Sequence, residues 1–316
     1  MTLLKNVRSR AFQLTIYPSE RRLARLKSGQ KAEFVALSQK HAADYGAWRK
    51  LNVDAYTTPL WREFISGLEP IVTPVPPFAF LRDPILQKTM FVSGRNKWLK
   101  TELEFLEEKF GSERLKELVI EDYAGDPPLS NSRYLTSHNS IHHLYHLARY
   151  AHKTNCDLEE IRSVVEWGGG YGNLAKMFKR LSKGSLTYVI VDLPLFSLLQ
   201  WTYLATVLGE KEVHLIENPG AGVQEGKVNV LPLCFVDNVN LKAEMFISTW
   251  ALSESSTFSQ DYVLSRKWFG AGRRLLAYQD SDKLLPDAGR VEKIAKDHGM
   301  TVEDIEFLPG NHYAFL

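Results

Sequence analysis

Short runs of apolar residues recur along the C-terminal half of the chain, separated by segments in which apolar residues return every three or four positions. The runs are rich in Val, Ile, Phe and Tyr, as buried strands are, and the longer segments have the period of amphipathic helices. The predicted strands are residues 163–166, 187–192, 213–216, 228–231, 244–249 and 274–278. Strands that alternate with helices in this way predict an α/β fold with a Rossmann-like, doubly wound sheet.

The end of the chain departs from this alternation. Residues 302–308 and 312–316 are both strand-like, and Pro309-Gly310-Asn311 joins them with no room for a helix. Two strands joined by so short a turn form an antiparallel hairpin. We therefore expect an antiparallel hairpin at the C-terminal edge of the sheet.

The N-terminal part of the chain has helical periodicity. Residues 22–40 and 100–120 are predicted helices, the second interrupted by Gly111, and four prolines within 70–77 exclude regular structure there. This pattern predicts two regions. Residues 1–130 are expected to form a mostly helical lobe that caps a substrate (acceptor) site, and residues 131–316 are expected to form a domain that binds a cofactor.

The most informative stretch runs from Glu166 to Asn173, with the sequence Glu-Trp-Gly-Gly-Gly-Tyr-Gly-Asn. Glycines free the backbone to turn sharply between a strand and a helix and let a ligand approach closely. Asn173 is predicted to cap that helix. The stretch fits two cofactor classes. Glu166 to Gly172 has the pattern Glu-x-Gly-x-Gly-x-Gly, which resembles motif I of the class I S-adenosylmethionine methyltransferases, whereas Gly170 to Ala175 is a form of the dinucleotide fingerprint.

Charge distinguishes the two classes. A carboxylate held ~4 Å from a pyrophosphate is repelled by roughly 1 kcal/mol in water and about 4 kcal/mol at an effective dielectric of 20. S-adenosylmethionine instead carries an ammonium and a sulfonium group, which Glu166 attracts. Asp192 ends the next strand, twenty residues beyond Gly172, where an acid binds ribose hydroxyls in either fold.

Several motifs together resemble the sugar O-methyltransferase family, within the class I S-adenosylmethionine-dependent methyltransferases. They are Glu166 to Asn173, Val-Asp-Leu-Pro at 191–194, Ser-Thr-Trp-Ala-Leu-Ser-Glu at 248–254 and the stretch from Gly125-Asp126-Pro127 to His146. The resemblance covers roughly residues 105–316. It implies S-adenosylmethionine as the cofactor and a hydroxyl of a glycan, glycolipid or glycosylated metabolite as the acceptor. The residues predicted to bind the cofactor are Glu166, Gly168, Gly170, Tyr171, Gly172, Asn173, Asp192, Leu193, Cys234, Phe235 and Ser248.

The predicted catalytic residues are Glu254 and His143. Glu254 follows the strand 244–249, and the carboxyl end of such a strand lies over the site in an open α/β sheet. A base is needed because the acceptor hydroxyl is a weak acid. Glu254 has an alternative role as an acid at the start of a helix. We predict no metal, because His142 and His146 have zinc-like spacing but no third ligand is evident and both are expected on the polar side of their helix.

Composition limits the remaining choices. Two cysteines without a CxxC spacing, and no apolar leader, predict a reducing, cytoplasmic setting. No segment is apolar enough for a membrane span. Residues 1–50 carry eleven Lys or Arg against three acids, although the whole chain has a net charge of only +2. We interpret this basic arm as a solvated surface, with peripheral membrane contact as the alternative, and expect no nucleic-acid binding because no such motif accompanies it.

Two other functions stay open at this point. One is an NAD-dependent oxidoreductase that uses the Gly170 to Ala175 fingerprint, against which Glu166 and the terminal hairpin count. The other is a non-catalytic protein that keeps the cofactor fold as a binding module.

Overall fold

A computed structural model describes residues 15–90 and 98–316 of the chain. Its centre is an eight-stranded sheet in the order β3-β4-β2-β1-β5-β6-β8-β7. The strands are β1 (Ser163–Trp167), β2 (Thr187–Asp192), β3 (Val213–Leu215), β4 (Val228–Pro232), β5 (Met245–Thr249), β6 (Arg273–Gln279), β7 (Thr301–Asp304) and β8 (Asn311–Phe315). The first six pair in parallel, whereas β8 runs antiparallel to both β6 and β7. The predicted doubly wound sheet with a C-terminal antiparallel hairpin is thus confirmed, and this is the arrangement of a Rossmann-like methyltransferase fold.

Helices cover the sheet and build the N-terminal part of the chain. They are α1 (15–26), α2 (Gly29–Ser38), α3 (Ala42–Trp48), α4 (Pro59–Val72), α5 (Pro84–Thr89), α6 (Leu99–Val119), α7 (His138–Thr154), α8 (Asn173–Leu181), α9 (Pro194–Leu208), α10 (Ala251–Glu254), α11 (Thr257–Ser265) and α12 (Arg290–Asp297). Helix α9 is buried on all sides over residues 194–206, because α2, α3 and α4 pack on it from one side and β2, β3 and β4 from the other. This explains why its sequence is apolar all round rather than amphipathic.

Three expectations about the helices need correction. The predicted helix 22–40 is two helices separated by a turn at 27–28. Helix α8 begins at Asn173, so the residue before it, Gly172, takes the capping position. His142 and His146 are buried, not on a polar face, because α6 covers one side of α7 and Tyr313 of β8 lies against the other.

The N-terminal helices share the main hydrophobic core with the sheet. That core includes residues from Phe34 of α2 to Phe315 of β8, whereas Ile16 and Leu23 of α1 belong to a separate small cluster. Charged pairs also join the two regions, since Lys176 of α8 donates to Glu121 at 2.7 Å and Arg180 donates to Asp122 at 2.7 Å. The division near residue 130 stays a prediction.

Residues 1–14 of the basic arm lie outside the described residues. Within the part that is described, Arg21, Arg22 and Arg25 of α1 are exposed. No helix in residues 15–90 or 98–316 is long and apolar enough to cross a bilayer.

Candidate active site

The glycine-rich turn leaves the carboxyl end of β1 and enters α8 with three glycines at positive φ. The φ angles are +77° at Gly168, +57° at Gly170 and +92° at Gly172. A Cβ on Gly168 would clash with the Ala251 Cβ, and one on Gly172 would lie 2.8 Å from Leu204. Gly168 and Gly172 are therefore required by packing as well as by conformation. Gly170 differs, since its nearest neighbour would be Met90 at 3.8 Å, and it borders open space.

Glu166 lies beneath this turn and is buried. Its Oε2 accepts a hydrogen bond from the Tyr188 hydroxyl at 2.9 Å. Burial raises the pKa of Glu166 to about 8, and the neighbouring Asp192 contributes in the same direction. In the absence of a bound cation the side chain is therefore mostly protonated at neutral pH.

Asp192 ends β2 and fixes the glycine turn. Its Oδ2 accepts from the Gly169 N–H at 2.9 Å and from Gln200 Nε2 at 2.6 Å, while its Oδ1 accepts from the Leu193 N–H at 2.8 Å. Burial raises the pKa of Asp192 to about 7 against these hydrogen bonds. The sequence predicted a ligand for ribose, and the structure adds a role in holding the turn.

A cavity opens above the carboxyl ends of β1, β2 and β5, and it encloses about 1040 Å³ including the part open to solvent. Eight of the predicted site residues line it. They are Glu166, Gly168, Gly170, Tyr171, Asp192, Leu193, His143 and Glu254. A cavity of this size, with a mostly apolar wall and a few polar groups, is typical of small-molecule sites.

Five other predicted residues do not line the cavity. The Ser248 hydroxyl is buried and donates to the Trp167 carbonyl at 2.9 Å, which holds the ends of β5 and β1 together. Gly172 is the last residue of the turn and packs against Leu204, and Asn173 is the first residue of α8. Cys234 and Phe235 pack against the core next to Leu233, which does line the cavity.

Glu254 ends the short helix α10, and its surroundings do not match a helix-start acid. Ser256, not Glu254, caps the following helix α11 through the Ser259 N–H. The Glu254 Oε2 accepts from Trp61 Nε1 at 3.2 Å, and its carbonyl accepts from the Thr58 hydroxyl at 3.2 Å. Burial raises the pKa of Glu254 to about 7, which suits a base that works near neutral pH.

His143 also lines the cavity, but its protonation differs from that of Glu254. Asn173 Nδ2 donates to its Nδ1 at 3.1 Å, so the ring proton is on Nε2 with this assignment of the amide. Burial lowers the pKa of His143 to about 3. A neutral imidazole in this tautomer donates a hydrogen bond through Nε2, whereas Glu254 has the lone pairs that proton removal requires.

Other residues that line the cavity were missed by the sequence prediction. The N-terminal region provides Tyr56, Trp61 and Met90, helix α7 provides Asn139 and His142, and the rest include Trp167 and Phe196. The N-terminal residues lack any local motif, and only tertiary packing, including that of α4 on α9 and α5, brings them to the cavity. Trp250 directly follows the strand 244–249, lines the cavity and takes the uncommon φ of +64°.

No family model matches the chain, and no curated protein matches it. Solved structures give distant similarities. The pyocyanin biosynthetic protein PhzM is 15% identical over 95% of this chain and 98% of its own, with a TM-score of 0.39. Magnesium protoporphyrin IX methyltransferase from Synechocystis, with bound SAM, is 15% identical over 55% and 78% of the two chains, with a TM-score of 0.37. Fibrillarin from Aeropyrum pernix, with S-adenosyl-L-methionine, is 12% identical over 51% and 68%, with a TM-score of 0.35. Because these TM-scores are low, the fold class rests on the strand order described above.

Proposed function

We propose that this protein is an S-adenosylmethionine-dependent O-methyltransferase. The observation that carries the proposal is the placement of two acids, the buried Glu166 and the half-buried Asp192, around a glycine turn with positive φ at the open end of a parallel sheet. Ligands of open α/β sheets bind at this end. Glu166 favours a cationic cofactor, and Asp192 accepts from ribose hydroxyls once the cofactor competes with its present partners.

The antiparallel hairpin β7–β8 and the buried Glu166 both count against a nicotinamide domain. Glu166 Oε2 would lie 3.1 Å from a Cβ on Gly169, so the acid is next to the turn where a pyrophosphate would bind. A pyrophosphate there would raise the pKa of Glu166 further, whereas an ammonium group would lower that pKa and gain an ionised partner.

The reaction needs alignment of the hydroxyl with the methyl–sulfur bond and removal of one proton. The sulfonium methyl is already activated, so the new bond forms between the acceptor oxygen and the methyl carbon as the carbon–sulfur bond breaks. In our proposal Glu254 takes the hydroxyl proton, and His143 donates a hydrogen bond that orients the acceptor. S-adenosylhomocysteine and the methyl ether are the products.

We further propose a sugar hydroxyl as the acceptor. The family resemblance supports it, and so does the wall of the cavity, where Tyr56, Trp61 and Trp250 offer rings that can pack against the apolar face of a pyranose. The proposal makes the N-terminal region the cap over the acceptor, since Tyr56, Trp61 and Met90 all come from it.

Calorimetric titration with S-adenosylhomocysteine and with NAD tests the cofactor. We expect binding of the first and none of the second, and the reverse would refute the proposal. Methyl transfer from labelled S-adenosylmethionine is then measured with nucleotide sugars and glycans, and with planar phenols as the contrasting acceptors. Transfer to phenols alone would leave the methyltransferase standing but refute the sugar.

A further inference from the structure

Three buried side chains from two helices converge behind the cavity. Glu102 of α6 is 0% exposed, and His138 and His142 of α7 are 1% and 2% exposed. His138 Nε2 donates to one carboxylate oxygen of Glu102 at 3.1 Å, and His142 Nδ1 donates to the other. Carboxylates and histidines are seldom buried so completely without a specific partner or function.

The donor atoms are close enough together to bind one ion. One ligand atom from each of Glu102, His138 and His142 lies within 4.8 Å of the others. Metal–ligand distances of about 2.0–2.2 Å allow donors of one ion to be roughly 4 Å apart, so small side-chain rotations suffice. Glu102 is the third ligand that the spacing of the α7 histidines could not indicate, because it is separated from His142 by forty residues of sequence.

A fourth imidazole lies next to this group. The ring centroid of His146 is 4.1 Å from that of His142, and the Nδ1 of His146 is hydrogen-bonded to the Tyr313 hydroxyl at 2.6 Å. Its Nε2 is buried and has no hydrogen-bond partner among the described residues. A buried nitrogen in this state is costly unless something binds it, which makes it a further potential ligand.

We propose that Glu102, His138 and His142 bind a divalent transition-metal ion at the wall of the cavity. Two imidazoles and one carboxylate suit Zn²⁺, Fe²⁺, Co²⁺ or Mn²⁺, whereas Mg²⁺ and Ca²⁺ prefer oxygen ligands alone. The ion displaces the protons that now link the histidines to Glu102. Because His142 also lines the cavity, the bound ion adds positive charge near the acceptor end of the site.

The test uses the full-length protein after dialysis against EDTA, without S-adenosylmethionine. Zn²⁺ binding is measured by calorimetry, and Co²⁺ binding by its visible absorption. We expect one equivalent to bind, with at least ~10-fold weaker binding in Glu102→Gln and in His138→Ala. The matched controls Glu104→Gln and His152→Ala change the same residue types on the exposed sides of α6 and α7 and leave binding unchanged.

A second control addresses the surface, where His41, Asp44 and Glu217 also cluster. His41→Ala removes that group and should not change the single equivalent. Absence of stoichiometric binding by the wild-type protein overturns the proposal even if a variant fails to fold, and so does loss of binding in His41→Ala alone. S-adenosylhomocysteine binding is titrated separately. Absence of metal binding therefore refutes the metal site without refuting the proposed methyl transfer, and absence of S-adenosylhomocysteine binding refutes the methyl transfer without refuting the metal site.

Discussion

Replacement of Glu254 by glutamine tests the proposed base most directly. Glutamine keeps the size of the side chain and can still accept from Trp61 Nε1, but it cannot take a proton. A positioned base contributes roughly 10² to 10⁴ in rate, so we expect methyl transfer to fall by about 10² or more at unchanged S-adenosylhomocysteine affinity. Single-turnover transfer and calorimetry on the same preparation measure both quantities.

Although the turnover of Glu254→Gln should fall, the stability of the variant should rise. The pKa of Glu254 rises from 4.5 to about 7 on folding because of burial, which corresponds to roughly 3 kcal/mol at most, less the screening by solvent in the cavity. A carboxyl whose pKa is raised on folding makes the protein less stable as pH rises from 4.5 through 7, because in this range the native state binds the proton more tightly than the unfolded state does. Glutamine does not titrate. Above pH 7 the variant should therefore melt at a higher temperature than the wild type, and near pH 4.5 the difference should vanish.

Asp261→Asn is the matched control, since Asp261 is an exposed acid on α11 that pairs with Arg290. It should change neither turnover nor the pH dependence of melting. The reasoning about Glu254 is refuted if Glu254→Gln turns over within about tenfold of the wild type, because a base contributes more than that. The wild-type rate should also rise with pH through an apparent pKa near 7 and lose that limb in the variant.

Three further predictions concern the cofactor. Asp192→Ala should weaken S-adenosylhomocysteine binding by ~1.5 to 3 kcal/mol in calorimetry, because charged hydrogen bonds are lost and the Gly169 N–H loses its partner. Unchanged affinity would show that Asp192 does not belong to the site. Gly170→Val should abolish cofactor binding, since a branched side chain at φ +57° is strained and enters the cavity. The control Gly272→Val, at a position with open space and ordinary φ, should bind the cofactor normally. Normal binding by the Gly170 variant would show that the turn is purely structural. Cofactor binding at pH 7 should release close to one proton from Glu166, whose pKa of about 8 falls beside the incoming ammonium. Titrations in buffers of different ionisation enthalpy measure this, and Glu166→Gln should abolish the release; a wild-type heat independent of buffer would contradict it.

Local sequence determined the parts of this protein that depend on neighbouring residues. The sheet strands, the glycine turn, Asp192 at the end of β2 and the terminal hairpin follow from periodicity and turn chemistry, and the structure confirms the fold they predict. Glu166 and Asp192 were identifiable because strand ends in a parallel sheet meet at one edge. The same logic brought Glu254 to that edge, although only the folded structure distinguishes it from a helix-start acid, through its bond to Trp61 and the capping of α11 by Ser256.

Tertiary packing decided which residues that are far apart in the sequence come into contact. Helical periodicity assigned His142 and His146 to a polar face, because a single helix cannot indicate that a second helix and a strand will cover it. Glu102 meets His138 and His142 only once α6 packs on α7, and Trp61 reaches Glu254 only once α4 packs on α9. Such contacts depend on the summed burial of many apolar side chains rather than on any local motif. The pKa values of Glu166 and Glu254 share this origin, since burial sets them and burial exists only in the folded chain.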